Sequence, residues 1–349
     1  MTDKIVLAGL VPQDLAELLG EYPPYRCKQL YKWILSGAGT FSEMSNLPLS
    51  MRNELEEKFL LLPGAVTSEF KDSDETLKIA VSLKDGSVIE SVMLSDDEGR
   101  KTACLSTQAG CPMHCIFCKT GSLGFKRNLT ATEISGQFLH LLQREEKISN
   151  IVIMGMGEPL LNLEALRAAL DFFMHPGGLN ISKRRITIST CGLENGIREL
   201  ADKGPDVRLA LSLSSGRREL RERLMPASRE NPLPQIKDAL QYFQRKKDQR
   251  ITLEMVLLSG LNTGEEEADA VAEFARGLDA VVNLIPWNRV EGLALDGNEL
   301  KTPSHNETAA FADALKRRGL RITRRYEKGG GISAACGQLG SVDNFSVPC

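Results

Sequence analysis

From Thr107 onward the chain alternates strand-like apolar runs with amphipathic helical segments. Strand and helix in repeated succession imply a parallel sheet, because parallel neighbours need a crossover connection between them. About six such units predict an α/β fold of the open (β/α)6-type, a partial TIM barrel. The strand-like runs are residues 151–154, 185–190, 207–213, 251–258, 280–286 and 321–325, and the helical segments are 132–145, 163–174, 195–203, 233–245, 263–277 and 306–318.

Three cysteines in the spacing C-x3-C-x2-C follow the strand-like run 102–106. Cys111, Cys115 and Cys118 therefore lie where barrel loops converge, at the carboxyl ends of the strands. Three thiolates are one fewer than an ordinary [4Fe-4S] cluster uses, so one iron stays open to another ligand. S-adenosylmethionine can fill that position, and a reduced cluster can break its carbon–sulfur bond to give a radical. The alternative is a zinc site, but structural zinc sites usually show a second cysteine or histidine pair, which this sequence lacks.

Composition narrows the class of protein. The chain has 349 residues, 42% hydrophobic and 26% charged, and no apolar run reaches the roughly 18 residues of a membrane-spanning helix. Its first ten residues lack the apolar stretch of a signal peptide. Four of the eight cysteines lie between positions 104 and 118, which suits metal chemistry in a reducing cytosol better than a disulfide scaffold. We expect a cytoplasmic protein with no membrane partner.

The chain is predicted to have three parts. Residues 1–65 have apolar positions at helical spacing in segments 12–19, 26–35 and 49–60, separated by glycine- and proline-rich breaks. Alternating runs at 76–83 and 87–94 then predict strands. We expect an N-terminal helical domain at 1–65, a β linker or extension at 66–100 and the barrel core at 101–349.

Charge is distributed unevenly along the chain. Residues 1–100 hold 10 Lys and Arg against 17 Asp and Glu, whereas the remainder holds 33 against 29. The basic excess is concentrated at 183–185, 217–223, 245–247 and 316–325. Such clusters can track phosphates, although any single one is more simply a solvated helix face. A polyanionic substrate is therefore plausible from charge alone, without being established by it.

Polar residues at the ends of predicted strands are candidate cofactor contacts. The sequence Gly-Met-Gly-Glu-Pro at 155–159 includes Gly157, which lets the backbone approach a ligand, and Glu158, which could accept from an ammonium group. The alternative interpretation of this segment is a tight turn with a capping glutamate. Ser189, Ser212 and Asn288 could hydrogen-bond a ribose or carboxylate, or equally be satisfied loop polar groups.

Two cysteines outside the triad and one carboxylate are candidate catalytic groups. Cys336 lies among small residues after a run of three glycines, where a nucleophile would be accessible and able to move. Cys104 lies on a strand, where a cysteine is usually a small buried hydrophobe. Glu90 begins the segment 90–94 and could be a general base or a solvent-facing strand residue, and only its closeness to Cys104 on the neighbouring strand favours the first role. The remaining cysteines have no such context and are interpreted as incidental: Cys27, Cys191 and Cys349.

Taken together, these segments resemble the RlmN/Cfr family of radical S-adenosylmethionine RNA adenine methyltransferases, and the resemblance covers nearly the whole chain. It rests on the N-terminal helical unit, the cysteine triad, and segments 104–111, 155–159, 283–288 and 334–339. The Ala-Cys-Gly-Gln-Leu ending is specific to this family among radical enzymes, and the N-terminal helical domain and the Asn-Leu-Ile-Pro-Trp-Asn segment favour the RlmN branch over the Cfr branch. The resemblance implies a radical SAM barrel in which the triad binds the cluster and the following residues contact S-adenosylmethionine: Gly157, Glu158, Ser189, Ser212, Leu213, Ser214 and Asn288.

The resemblance also implies a mechanism that uses two S-adenosylmethionine molecules per turnover. One methylates Cys336 by displacement, and the second yields a 5′-deoxyadenosyl radical that removes a hydrogen from the S-methyl group. The carbon radical attacks an adenine carbon, Cys104 resolves the enzyme–RNA link by forming a disulfide with Cys336, and Glu90 accepts a proton. Adenine C2 and C8 are not nucleophilic, so ordinary methyl transfer would fail there.

The implied substrate is an adenosine in the peptidyl-transferase region of 23S rRNA and, in many members, one in the tRNA anticodon loop. The N-terminal domain is expected to contact RNA, flavodoxin or a similar protein to donate electrons, and the chain to act as a monomer. Two departures from the family pattern affect substrate choice: Ser214 replaces a usual histidine, and Gly330-Gly331 replace a usual acidic residue before Ile332. C8 methylation and a non-catalytic, cluster-bearing RNA-binding protein remain the alternatives.

Overall fold

A ten-stranded sheet organises the computed structural model, which describes residues 4–96, 98–145, 147–324 and 328–340. The strands are β1 (Ile5–Val6), β2 (Phe59–Leu60), β3 (Ala65–Lys71), β4 (Leu77–Ser82), β5 (Val88–Ser95), β6 (Lys101–Cys104), β7 (Gln108–Gly110), β8 (Phe125–Asn128), β9 (Asn150–Ile153), β10 (Ile186–Thr190), β11 (Arg208–Ser212), β12 (Ile251–Leu257), β13 (Ala280–Pro286), β14 (Ala294–Leu295), β15 (Asn298–Glu299) and β16 (Ile322–Arg324). The α-helices are α1 (Pro12–Leu18), α2 (Pro24–Leu35), α3 (Leu49–Lys58), α4 (Lys119–Ser122), α5 (Ala131–Leu142), α6 (Leu163–Met174), α7 (Glu194–Lys203), α8 (Arg218–Leu224), α9 (Leu233–Lys247), α10 (Glu265–Ala275) and α11 (His305–Arg317).

The parallel part of the sheet forms the partial barrel. Its strands pair in the order β6-β9-β10-β11-β12-β13-β16, each parallel to its neighbour. Apolar residues of these strands pack against the helices that connect them, as in Ile251, Leu253 and Met255 of β12, which are fully buried. The prediction of an open, parallel α/β barrel is confirmed.

Three further strands extend the same sheet in the antiparallel sense. β5 pairs with β6, β4 with β5, and β3 with β4, so β3 and β16 are the two edge strands of the sheet. The segment expected to be a linker, residues 66–100, thus supplies strands that continue the barrel sheet. This continuity matters for the site, because it places side chains of β4 and β5 beside those of β6.

The N-terminal helices pack on the outside of α5. The side chain of His140 in α5 lies 3.3 Å from the carbonyl oxygen of Pro63, which ends the helical unit. Apolar residues of α1 to α3, such as Leu15, Leu30 and Leu55, are fully or almost fully buried and belong to the same hydrophobic core as the barrel. The N-terminal unit therefore packs against the barrel and shares its hydrophobic core.

The structure differs from the predicted elements in a few short segments. The third helix ends at Lys58, because Phe59–Leu60 forms β2 and pairs in parallel with β1. β3, the β7–β8 hairpin and α8 were not predicted. These elements are short or, like β3, alternate between exposed and half-exposed residues, so they give a weak apolar pattern.

Within the described residues, no helix is both long and apolar enough to span a membrane.

Candidate active site

The cysteine triad lies in a loop held mainly by backbone hydrogen bonds. This cluster loop, residues 111–118, follows β7, and the N–H of Cys111 donates to the carbonyl of Gly124 at 2.8 Å. The N–H of Ile116 donates to Leu224 at 3.0 Å. The indole Nε1 of Trp287 donates to the carbonyl of Phe117 at 2.9 Å. The loop is thus fixed by neutral groups from the barrel core.

The three thiols form a donor set that suits an iron–sulfur cluster. Burial raises the pKa of Cys118 to about 11 and raises that of Cys111 further, and the neighbouring Cys115 adds to both shifts. With raised pKa values these thiols stay protonated, and a bound metal would displace the protons and hold them as thiolates. Among the described residues, no three His, Cys, Asp or Glu side chains converge on one ion. Each thiolate of a cubane binds a different iron, so the loop fits a cluster better than a single zinc ion.

A cavity of about 150 Å³ adjoins the cluster loop at the carboxyl ends of the strands. We call it the cofactor cavity. Its wall contains five of the seven predicted S-adenosylmethionine contacts together with Cys118: Gly157, Glu158, Ser189, Ser212 and Asn288. The other two, Leu213 and Ser214, are fully buried behind Ser212, and Ser214 has a left-handed backbone with φ +53°. The ligand-binding role of all seven stays a prediction.

Glu158 is fixed deep in the cofactor cavity. One carboxylate oxygen accepts from the N–H of Cys191 at 2.8 Å and the other from the N–H of Leu160 at 3.1 Å. Burial raises the pKa of this carboxyl, and the hydrogen bonds oppose the shift. Gly157 has φ +105°, and a Cβ added there would lie 2.6 Å from the Cβ of Gln108. Glycine is therefore required for the turn that presents Glu158.

Two residues in the cofactor cavity were missed by the sequence interpretation. Cys191 was taken as incidental, but it lines the cavity and its Sγ lies 3.8 Å from the Sγ of Cys115. Glu254 lines the same cavity and accepts from the amide of Asn283 at 2.7 Å. A signal was available for Glu254, since it is the one charged residue in the mostly apolar run 251–258. Cys27 is buried in the core, and Cys349 lies outside the described residues.

The candidate catalytic cysteines share a second cavity, of about 300 Å³. We call it the reaction cavity. Cys104 and Cys336 both line it, as does Cys118 of the cluster loop. The reaction and cofactor cavities share nine lining residues, which include Cys118, Asn288 and Cys336. A ligand in the cofactor cavity would therefore lie beside Cys336, the geometry that radical transfer to a group on that sulfur requires.

The Cys336 loop, residues 329–340, is held at many points by side chains from elsewhere. The amide of Asn288 donates to the carbonyl of Cys336 at 2.9 Å, and the hydroxyl of Thr120 donates to Leu339 at 2.7 Å. Asp74 accepts from the N–H of Gly329 at 2.9 Å. The other such contacts of the loop are Asp72 with Gly331, Lys78 with Ser333 and Glu90 with Gly340.

Glu90 is buried on the same face of the sheet as Cys104. Cys104 pairs with Val92 in β5, Val92 pairs with Lys78 in β4, and Glu90 lies two residues before Val92. Side chains alternate along a strand, so these residues project to one side. One Glu90 oxygen accepts from the N–H of Gly340 at 2.9 Å, and the other lies 3.8 Å from the ammonium of Lys78. Glu90 lines a separate cavity of about 140 Å³.

The basic clusters of the sequence are largely paired within the protein. Arg217 contacts Glu266 and Glu267, and Lys247 contacts Asp206 at 2.6 Å. Arg221 is fully buried near the cofactor cavity and donates to the carbonyls of Ser212, Leu213 and Cys191; burial lowers its pKa to about 10. The interpretation of segment 217–223 as a solvated face is therefore wrong at Arg221. Arg325, in the last basic cluster, lies outside the described residues.

Comparisons with known proteins show the family to which the chain is similar. A family model described as the radical SAM superfamily matches residues 105–275. The chain is 50% identical to the probable dual-specificity RNA methyltransferase RlmN of Treponema denticola, over 97% of this chain and 96% of that protein. It is 40% identical to the protein of the same name from Thermus thermophilus, over 94% and 93%. A radical SAM methyltransferase from Sphaerobacter thermophilus superposes with a TM-score of 0.91 at 35% identity, covering 96% and 99% of the two chains.

Proposed function

The chain belongs to the RlmN family of dual-specificity RNA methyltransferases, and from this we propose that it forms 2-methyladenosine in the peptidyl-transferase region of 23S rRNA and in the tRNA anticodon loop. One observation carries the proposal: Cys336 and Cys104 line the same cavity as Cys118 of the triad. A cluster, a nucleophilic sulfur and a resolving thiol are then within one enclosed space. The identity of 40–50% to relatives of that name over almost the full length supports the same substrate class.

Cys111, Cys115 and Cys118 would hold a [4Fe-4S] cluster. When bound, the cluster would supply the electron that cleaves S-adenosylmethionine to methionine and a 5′-deoxyadenosyl radical. Glu158, fixed by two backbone N–H groups, is suited to accept from the amino group of the cofactor. Ser189 and Ser212, whose hydroxyls lie 3.3 Å apart, are suited to its ribose. Asn288 donates to the Cys336 carbonyl, which leaves its amide oxygen for the ligand.

Cys336 would carry the methyl group. Its thiolate takes the methyl from the sulfonium of one S-adenosylmethionine and leaves S-adenosylhomocysteine. A second S-adenosylmethionine would supply the radical that takes a hydrogen atom from the S-methyl group, so that Cys336 would carry the methylene group to adenine C2 through its sulfur. This route explains the need for radical chemistry, since C2 is not nucleophilic and cannot attack a sulfonium methyl itself.

Cys104 would release the product. The adduct loses a proton, with Glu90 as the proposed acceptor, and one electron, which returns to the electron-transfer partner and matches the one consumed in cleavage. The Cys104 thiolate then attacks the Cys336 sulfur, forms a disulfide and frees the carbon, which takes a proton to become the methyl group. A two-electron thiol reductant must afterwards restore both cysteines.

The remaining partners follow from the same chemistry. We propose that a flavodoxin-type protein donates the electron, that the protein acts as a cytoplasmic monomer and that the helical unit 1–65 contacts RNA. The target adenine must leave its stack to enter a cavity of about 300 Å³, so an unpaired or extruded base is required.

The test is an anaerobic assay of the cluster-loaded protein with reductant, S-adenosylmethionine and an unmodified 23S rRNA fragment or tRNA. Nucleoside mass spectrometry is compared with 2- and 8-methyladenosine standards, and Cys336→Ala is the matched control. We expect 2-methyladenosine from both RNAs and none from the variant.

Each other outcome has a definite meaning. Formation of 8-methyladenosine would move the protein to Cfr-type chemistry. Formation of 5′-deoxyadenosine without methylated nucleoside would retain the radical chemistry and overturn the substrate. Methylation by the Cys336→Ala variant would overturn the proposed mechanism.

A further inference from the structure

Lys78 is the most completely enclosed ammonium among the described residues and has no place in the mechanism above. Its side chain is 0% exposed, although it lies on β4, next to the edge strand of the sheet. A lysine is almost never fully buried unless it is paired, because its charge loses hydration. Something must therefore compensate for the burial of Lys78.

Three contacts surround the Lys78 ammonium. It donates to the carbonyl of Ser333 at 3.1 Å, lies 3.8 Å from a carboxylate oxygen of Glu90, and lies 5.4 Å from the centroid of the Phe70 ring. Burial lowers the pKa of Lys78, and Glu90 opposes that shift. Two of the three contacts come from the sheet, and the third comes from the Cys336 loop.

The two members of the ion pair contact opposite ends of the Cys336 loop. Lys78 contacts Ser333, three residues before Cys336, and Glu90 contacts Gly340, four residues after it. Ser333 has a left-handed backbone with φ +52°, which is uncommon for serine and is stabilised only by its surroundings. The pair thus fixes both ends of a short segment whose centre carries the nucleophilic sulfur.

We propose that Lys78 is a positioning residue for Cys336, which together with Glu90 clamps the loop so that the Cys336 sulfur stays in the reaction cavity. The expected effect on methylation rests on the proposed function, whereas the clamp itself rests only on the contacts with Ser333 and Gly340. The contacts of Lys78 are Ser333, Glu90 and Phe70, none of which lines the reaction cavity. Because Glu90 is also the proposed proton acceptor, the clamp is tested first by a measurement that involves no proton transfer. The Cys336 sulfur has to serve as methyl acceptor, radical carrier and disulfide partner, so its placement affects every step.

The test compares full-length, cluster-loaded variants. Lys78→Met removes the charge and the donor, Lys78→Arg keeps both, and Lys101→Met is the matched control. Lys101 lies on β6 of the same sheet and pairs with Glu145 at 3.4 Å and with Ser95, away from the Cys336 loop.

The first measurement is the rate of Cys336 alkylation by iodoacetamide, followed by peptide mass spectrometry, in protein whose Cys336 is an unmethylated thiol. Losing a buried charged contact should release the loop, so we expect alkylation to rise about 10-fold in Lys78→Met and to change less than about 3-fold in Lys78→Arg and Lys101→Met. This measurement needs no RNA and no turnover, so it tests the clamp even if the proposed function fails. An unchanged rate in Lys78→Met would overturn the inference.

The second measurement is the ratio of 5′-deoxyadenosine formed to methyladenosine formed. A misplaced sulfur should let cleavage proceed without transfer, so we expect the ratio to rise about 10-fold in Lys78→Met and to recover in Lys78→Arg. A variant that merely folds less well loses both products together and leaves the ratio unchanged, which would also overturn the inference. Should Lys78→Met not fold, Lys78→Gln, which keeps a donor for Ser333 but no charge, is measured in the same way.

Discussion

The cluster loop and the Cys336 loop meet in one cavity but are anchored by different kinds of group. The cluster loop is held by backbone carbonyls that accept from its N–H groups and by the indole of Trp287, all of them neutral. The Cys336 loop is held by three carboxylates and one ammonium from positions about 250 residues earlier, besides Asn288 and Thr120. The two loops also touch directly, since the N–H of Lys119 donates to the carbonyl of Gly337 at 2.7 Å.

This difference follows from what each loop must do. A cluster-binding loop has its position completed by metal–sulfur bonds, so neutral backbone and indole contacts are enough to hold the rest of it. The Cys336 loop has no metal to complete it, and its sulfur has to change partners during turnover. Charged anchors outside the reaction cavity can hold such a loop by its ends while its centre remains able to move.

The largest contrast is expected between cysteines of the two loops. Cys118→Ser should lose the cluster, so bound iron, cleavage of S-adenosylmethionine and methylation should all disappear. Cys336→Ala should keep iron and cleavage while methylation falls by about 10⁴-fold or more, because the covalent carrier is gone. Iron analysis and product quantification check both, with Cys27→Ala as the control in the N-terminal core. Residual methylation by Cys336→Ala at a tenth of the normal rate would contradict the division of roles.

The contact between the loops should be sensitive to a single methyl group. Gly337 has φ +86°, and a Cβ added there would lie 3.2 Å from the carbonyl oxygen of Phe117. Gly337→Ala should therefore displace the Cys336 loop and raise Cys336 alkylation about 10-fold, from a left-handed cost of roughly 1–2 kcal/mol together with the close contact. Gly319→Ala is the control, since Gly319 has φ +81° in open space. Equal alkylation rates in the two variants would show that the loops do not constrain each other.

A smaller effect is expected when the cluster loop alone loses an anchor. Trp287→Phe removes the indole N–H and leaves the Phe117 carbonyl without that donor, a cost of about 1–3 kcal/mol. Iron loss to a chelator should become roughly 10-fold faster. Trp33→Phe removes a similar indole bond, to Asn46 in the N-terminal unit, and should leave iron loss unchanged. Equal rates in the two variants would mean that the metal, rather than the Trp287 bond, limits release.

The cluster loop and the Cys336 loop also differ in how far they could be predicted from the sequence. The cysteine triad follows a strand by a fixed spacing, so local pattern places it at the barrel edge, and the helix at 163–174 is observed with those bounds. The anchors of the Cys336 loop depend on contacts across about 250 residues. Lys78 in an alternating strand is ordinarily a solvent-facing residue, and only the covering loop makes it a buried one.

Strand register limited the prediction in the same way. The sequence linked Glu90 to Cys104 only because their strands were expected to be close. In the structure Val92 pairs with both Cys104 and Lys78, and Glu90 lies two residues before Val92, so these four residues share one face of the sheet. Register depends on which strands pair, and β3, which pairs with β4, was not predicted from the sequence. Cys191 was not recognised as a site residue, because nothing in its local sequence indicates that it lies beside Cys115.

The smallest effect is expected from Asp74, one of the charged side chains that hold the Cys336 loop, and it concerns how the free energy of unfolding depends on pH. Asp74 accepts from the N–H groups of Thr76 and Gly329 at 2.9 Å each. Burial raises the pKa of this carboxyl, but the Thr76 side chain, these two N–H groups and the charge of Lys328 together outweigh burial and hold the pKa below the usual 3.8. A depressed carboxyl pKa stabilises the folded state at all pH values above about 3.8, and that contribution is lost only as the pH falls through the lower folded value.

Asp74→Asn should therefore lower the free energy of unfolding by about 1 kcal/mol, since an amide has one oxygen for two N–H groups and the site is partly exposed to solvent. Urea unfolding of the cluster-free protein should give the same difference from pH 5 to pH 7, because Asp74 stays ionised throughout that range. Glu75→Gln, which alters the exposed pair with Lys71, is the neighbouring control. A difference that shrinks between pH 7 and pH 5 would mean that Asp74 titrates well above its usual value, so that burial rather than the Gly329 bond dominates this end of the Cys336 loop.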